Sequence, residues 1–332
     1  MSVRSSVRSV AMLGALAALC SVGQAAWAQA YPSKPVRVVI GFPPGTPPEV
    51  VGRMVSDKMS ATMGQPFVVE NRPGASGTIS ANLVAQAEPD GYTLMVGVAA
   101  NLAVAPHLLP SAKYDPSKVF TPIGQIQRGP YFVFVRSDLP VNTVPELVAY
   151  AKANPGKLNF GTPGLATLHH LTWELLMQRT GTSLVHVPFQ GGAQVVTEAM
   201  AGRIQTFMEN ASGAVMAQVR AGAFRPIGMT GAQRATQLPN VPTTAEQNLA
   251  GIESYSWWGM VGPANMPRPI VTQLNTALNR ALTAPDLAER LRGEGVPDNL
   301  RVTSTPEEFG AWVASEYERW GKVIREAKIT IQ

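Results

Sequence analysis

Five short loops carry most of the chemistry this chain offers. They are Gly41-Phe42-Pro43-Pro44-Gly45-Thr46, Gly74-Ala75-Ser76-Gly77, Gly97-Val98-Ala99-Ala100-Asn101, Gly161-Thr162-Pro163-Gly164 and Pro188-Phe189-Gln190-Gly191-Gly192. Each bears a hydroxyl or amide side chain and stands between an apolar β-type run and a helix-type segment. In open α/β sheets, ligands bind where the carboxyl ends of strands meet helix starts. A helix start presents unpaired N–H groups and the positive end of the dipole, so it holds a carboxylate without Arg or Lys. Turn geometry alone explains glycine in any one such loop. Five of them can converge on one cleft.

The first loop has a further feature. Thr46-Pro47-Pro48-Glu49 has the form of a capping box, with Thr46 as N-cap and Glu49 at the third helical position. The prolines have no N–H, and the Thr46 hydroxyl would take the next amide. This helix start therefore offers few donors to an anion, and Glu49 adds negative charge. Carboxylate recognition is then expected to rest on later loops, through the Thr162 and Thr167 hydroxyls and the amides of Gly191, Gly192 and Ala193.

Other chemistries find little support. There is no G-x-S-x-G nucleophile elbow and no H-E-x-x-H pair. His169 and His170 are adjacent, so on a helix they diverge by about 100°. His107 and His186 have no Cys, Asp or Glu at ligand spacing, so neither a metal site nor a cofactor is expected. Trp257-Trp258 fits either core or cleft rim. No Lys/Arg cluster with interleaved aromatics occurs, which argues against nucleic acid as a partner.

The elements that must position the loops follow from periodicity. Val36–Ile40, Phe67–Glu70 and Tyr92–Gly97 read as strands, with helices over Val50–Met63 and Ile79–Gln86 between them. This β-α-β-α-β order predicts a doubly wound, mostly parallel sheet. A second series repeats it, with strands at Tyr131–Val135, Leu158–Phe160, Ser183–Val187, Ile204–Met208 and Phe224–Met229. Its helices are expected over Pro145–Ala153, Leu165–Gln178, Ala193–Ala201 and Gly213–Ala221. Thr143 with Glu146, and Thr305 with Glu308, form capping boxes. The C-terminal third reads as helical, over Ile270–Leu282, Ala284–Arg292 and a long final helix from Pro306.

Residues Met1 to Gln29 have the three parts of a secretory signal: Arg4 and Arg8, a short apolar run from Val10 to Val22, and A-x-A sites ending at Ala28 or Ala30. The run is shorter than the ~20 residues a membrane span needs. The single cysteine, Cys20, lies within it, so disulfides and thiolate chemistry are not expected in the mature chain. Cleavage after Ala28 would leave about 300 residues, more than one core usually serves, so two lobes are expected. Loss of Arg4 and Arg8 lowers the formal net charge of +5 by two.

Ordered motifs run through nearly all of the remaining chain. They include Phe42-Pro43-Pro44-Gly45, Val69-Glu70-Asn71-Arg72-Pro73-Gly74-Ala75, Pro89-Asp90-Gly91-Tyr92-Thr93-Leu94 and His186-Val187-Pro188-Phe189-Gln190-Gly191. Leu238-Pro239-Asn240-Val241-Pro242-Thr243 and Ser304-Thr305-Pro306-Glu307-Glu308-Phe309 follow. In these the chain resembles the Bug-type receptors of tripartite tricarboxylate transporters. The resemblance implies a two-lobed α/β periplasmic binding protein of the type II, Venus flytrap kind. Lobe I would be 31–127 with 232–332 and lobe II 128–231, with the chain crossing near Gln125–Tyr131 and Phe224–Gly231.

It further implies a periplasmic, monomeric protein that is not an enzyme. The ligand would be a di- or tricarboxylate, an aromatic carboxylate or an acidic amino acid, and the partner the membrane subunits of the transporter. Carried over by position, the binding loops are Phe42 to Glu49, Thr162 to His170 and Phe189 to Ala193. With the strand-end loops, the candidate ligand residues are Phe42, Thr46, Glu49, Ser76, Asn101, Thr162, Gly164, Thr167, His170, Phe189, Gly191, Gly192 and Ala193. The sequence departs from the family where Gly45 is followed by Thr46-Pro47-Pro48-Glu49, and where Gly164-Leu165-Ala166-Thr167 replaces Gly-Asn-Gly-Thr. Two other functions share these features: a ligand-presenting subunit for a sensor kinase, favoured by a lone gene beside such a kinase, and a secreted hydrolase, favoured by turnover of carboxylate esters or amides.

Overall fold

Val36–Ile40 is apolar at four of its five positions because it lies in the middle of a sheet and is covered on both faces. In the computed structural model this strand, β1, pairs in parallel with β2 (Phe67–Asn71) and β3 (Thr93–Val98). β10 (Tyr255–Pro263) runs antiparallel to β3 and to β4 (Phe120–Pro130), giving the order β2-β1-β3-β10-β4. The second sheet joins β5 (Phe132–Arg136), β6 (Asn159–Thr162), β7 (Val185–Pro188), β8 (Thr206–Glu209) and β9 (Phe224–Met229) in the order β7-β6-β8-β5-β9. In each sheet four strands share one direction and one inner strand, β10 or β5, runs against them. The expected mostly parallel, doubly wound architecture is therefore present twice.

The structure describes residues 31–112, 114–293, 301–326 and 328–330. The expected signal segment over 1–28, with Cys20, lies outside them. Both sheets belong to one compact unit that begins at Lys34. No helix among the described residues is long and apolar enough to cross a membrane.

Helix ends follow local chemistry in most places. Helix Pro47–Met63 stops at Gly64, whose φ of 73° a glycine adopts without cost and whose N–H reaches Ser60 O. At the final helix Pro306–Glu326, Thr305 and Glu308 exchange two hydrogen bonds of 2.8 and 3.1 Å, a complete capping box. At helix Val144–Ala153, Thr143 accepts from Glu146 N–H, but the Glu146 carboxyl accepts from Asn142, one residue before the cap.

The sequence reading missed two long strands. β4 contains Pro122, Gly124, Gly129 and Pro130 and is expected only as the crossing near Gln125–Tyr131, and β10 falls in the part expected to be helical. β4 is an edge strand, where a missing N–H is tolerated. β4 leads straight into β5 of the other sheet, with only Tyr131 between them. The chain returns through residues 230–254, which stay bonded to the second sheet: Met229 N–H to Pro242 O at 3.0 Å, Thr244 N–H to Met229 O at 2.8 Å and Ser254 N–H to Thr230 O at 3.0 Å.

Candidate functional site

A cavity of about 120 Å3 opens where the strand ends of both sheets meet. From the first sheet it is lined by Phe42, Thr46, Pro47 and Pro48 after β1, by Val98–Ala100 after β3, and by Ser256, Trp257 and Trp258 at the start of β10. From the second sheet come Pro163, Thr167, Leu168 and His169 after β6, Gln190–Gly192 after β7, and Glu209 and Asn210 at the end of β8. Tyr131, at the crossing, completes the lining. The loops approach closely: a Cβ on Gly191 would stand 4.0 Å from Thr46 Cγ2.

Five of the expected residues line this cavity: Phe42, Thr46, Thr167, Gly191 and Gly192. The others support it or lie apart. Glu49 is buried, accepts from Gly45 N–H at 2.9 Å and pairs with Arg53 at 2.6 Å. Asn101 is fully buried behind the lining, accepting from Val98 N–H at 2.9 Å and donating to Gly77 O at 3.2 Å. Ser76 donates to Leu165 O at 2.8 Å, joining loops of the two sheets. Phe189 packs into the second sheet's core, and Ala193 is exposed on the first turn of helix Gly192–Met200.

The threonine roles need correction. The Thr46 backbone stands at the N-cap, but its hydroxyl donates to Pro43 O at 2.7 Å and caps nothing. The Glu49 amide bonds Thr46 O instead, at 2.9 Å, so the Thr46–Glu49 capping box does not form. With Pro47 and Pro48 in the first turn, this helix start still presents no free N–H. Thr162 is fully buried, its hydroxyl held between Gly164 O at 3.1 Å and His186 Nε2 at 2.7 Å. Thr167 donates to Gly164 O at 2.8 Å and accepts from His170 N–H at 3.4 Å, so it is the side-chain N-cap of helix Leu168–Thr180. Both hydroxyl protons expected for the ligand are thus committed to Gly164 O or His186. Thr167→Val is expected to lower stability by about 0.5–2 kcal/mol through the lost cap, and Thr46→Val by less. A larger loss for Thr46→Val in paired melting curves would reverse the assignment.

The donors that remain are amides. Those of Gly191, Gly192 and Ala193 find no acceptor among the described residues, and they open helix Gly192–Met200. Behind the cleft, His170 stacks on His186 with ring centres 4.2 Å apart, and His186 on Phe160 at 4.8 Å. Burial, then the neighbouring His170, pushes the His186 imidazole down to about 4. Tyr131 packs on His169 at 4.3 Å. Burial, then the charge of Glu209, raises its phenol well above the ordinary value, against a hydrogen bond to Ser256. Trp257 is wholly buried and donates to Glu316, so it is core and cleft wall at once.

Lining residues outside the expected ligand set include Tyr131, Glu209, Asn210 and Ser256, and also His169, which lies within the expected loop Thr162 to His170. Glu209 and Asn210 end an apolar strand, so the strand-end rule could have found them. Among the described residues no three His, Cys, Asp or Glu gather in a way that could hold a metal.

Comparison with known proteins agrees with this architecture. The family model described as tripartite tricarboxylate transporter family receptor matches residues 51–329. The UPF0065 protein of the tcbD-tcbE intergenic region of Pseudomonas sp. (strain P51) is 35% identical over 316 residues, covering 95% of this chain and 93% of its own length. The structure of Rpa4515 of R. palustris with adipate is 33% identical with a TM-score of 0.81, covering 90% of this chain and 99% of that one. MatC (Rpa3494) from Rhodopseudomonas palustris with bound malate is 30% identical with a TM-score of 0.79, covering 89% and 100%. By sequence and by the doubled sheet that frames the cleft, this chain belongs to the receptor family of the tripartite tricarboxylate transporters.

Proposed function

We propose that this protein captures a small organic carboxylate in the cleft between its two sheets and delivers it, unchanged, from the periplasm to the membrane subunits of a tripartite tricarboxylate-type transporter. The observation that carries this reading is the set of unspent amides at the helix start Gly191, Gly192 and Ala193, of which Gly191 and Gly192 line the cleft. Two similar proteins hold adipate and malate, both small dicarboxylates. The sheets act as lobes that close on the ligand. The hinge then comprises Tyr131 and the return between Ser254 and Tyr255, a later return than Phe224–Gly231 because residues 229–254 bond back to the second sheet.

A ligand that binds only the folded state raises the melting temperature, by an amount worth about 2.7 kcal/mol at a hundredfold excess over Kd. Thermal-shift screening of carboxylates against the purified protein should find such a ligand. Chromatography should recover it unchanged, and scattering should show a smaller radius of gyration when it is bound. Stabilisation by sugars or cations alone would refute the carboxylate reading.

A further inference from the structure

Among the described residues that line the cleft there is no Lys or Arg and a single carboxyl, that of Glu209. Its side chain is only 13% exposed. Oε1 accepts from Asn210 N–H at 3.0 Å and lies 3.4 Å from His169 Nε2. Oε2 has no hydrogen-bond partner among the described residues, and a Cβ placed on Gly192 would stand 2.5 Å from it. The carboxyl therefore lies against the helix start that offers the free amides. That start faces a negative group supplied by the chain itself. A ligand bearing only carboxylates would place a second negative charge beside this mostly buried carboxyl, and like charges disfavour one another. A ligand with an ammonium or amide N–H next to its carboxylate meets both needs: the carboxylate takes the amides of Gly191 to Ala193, and the N–H takes Glu209 Oε2.

We infer that Glu209 is the specificity-determining residue of the cleft, selecting carboxylates that carry a neighbouring N–H donor, such as amino-acid-like or amide-bearing acids, over plain di- and tricarboxylates. This rests on the reading of the cleft as a carboxylate site. The absence of a side chain at Gly192 is part of the device, since it lets the carboxyl approach the helix start.

Calorimetric titration with matched pairs tests it: succinate against aspartate, glutarate against glutamate, and adipate against 2-aminoadipate. In at least one pair the amino member should bind about tenfold or more tightly than its diacid, the scale of one charge-assisted hydrogen bond. Glu209→Gln, which keeps an acceptor for Asn210, should shrink that preference about tenfold by weakening the amino member. Gly192→Ala, which displaces Oε2 without altering charge, should weaken the amino member too. Melting curves on both variants establish that they fold. If the diacids bind as tightly as their amino partners, or if neither variant changes the ratio, the inference is overturned and the carboxylate reading survives. If no member of any pair binds, and no other carboxylate stabilises the protein, both fall together.

Discussion

Glu316→Leu is expected to destabilise the protein by about 2–6 kcal/mol. Glu316 is 3% exposed, and its Oε2 accepts from the indole N–H groups of Trp257 and Trp320, both at 3.1 Å. Leucine is similar in size but leaves two buried donors without an acceptor, and each such orphan costs about 1–3 kcal/mol. Each kcal/mol corresponds to about 2–4 °C of melting temperature in a chain of 150–250 residues, so the drop should be plain in a circular dichroism melt. Glu316→Gln keeps an oxygen acceptor and should recover most of the loss. A leucine variant that melts within about a degree of the parent would show that the indole bonds contribute little. Because Trp257 also forms the cleft wall, ligand affinity should fall in the leucine variant and return with glutamine.

Stability should also fall as the medium turns mildly acidic, because His186 is neutral in the fold. Its imidazole is pushed from 6.5 to about 4 by burial and by His170. The folded value lies below the unfolded one, so the stabilisation is complete above about pH 6.5 and is lost as pH falls toward 4. The full shift corresponds to about 3 kcal/mol at 1.36 kcal/mol per unit. The ring is partly open to solvent, which discounts this to about 1–2 kcal/mol. Burial lowers His107 as well, so it adds to the same slope. The carboxyls held down by ion pairs, among them Glu70 and Asp138, matter only at lower pH, since their ordinary values are 4.5 and 3.8. The diagnostic is therefore the difference between the parent and His186→Phe from pH 7 to 5. Phenylalanine keeps the stack between Phe160 and His170 without titrating, and Thr162 keeps its bond to Gly164 O. The variant should lose less stability over that range. Parallel profiles would show that His186 does not titrate with unfolding.

Much of the architecture is a local property of the chain. The apolar run at Val36–Ile40, the stop at Gly64, the box at Thr305 and Glu308 and the alternation of strands with helices are decided by neighbours a few residues apart, and the sequence shows all of them. The strand-end rule located the cleft-lining loops after β1, β3, β6 and β7, because strand direction and helix start are local too, but not the end of β8 or the start of β10. Only the tertiary structure decides β4 and β10, whose prolines and glycines are tolerated because of an edge position and of packing such as that of Phe309 on Gly259. It also decides where hydroxyls point. Thr46, Thr162 and Thr167 have the right chemistry for a ligand, but a hydroxyl takes the nearest acceptor in space: Pro43 O for Thr46, and Gly164 O for the other two. The meeting of Glu209 with Gly192 depends on the order of three strands in a sheet, β8 beside β6 and β6 beside β7. Residues seventeen positions apart in sequence carry no local signal of that contact, and the charge of the cleft follows from it.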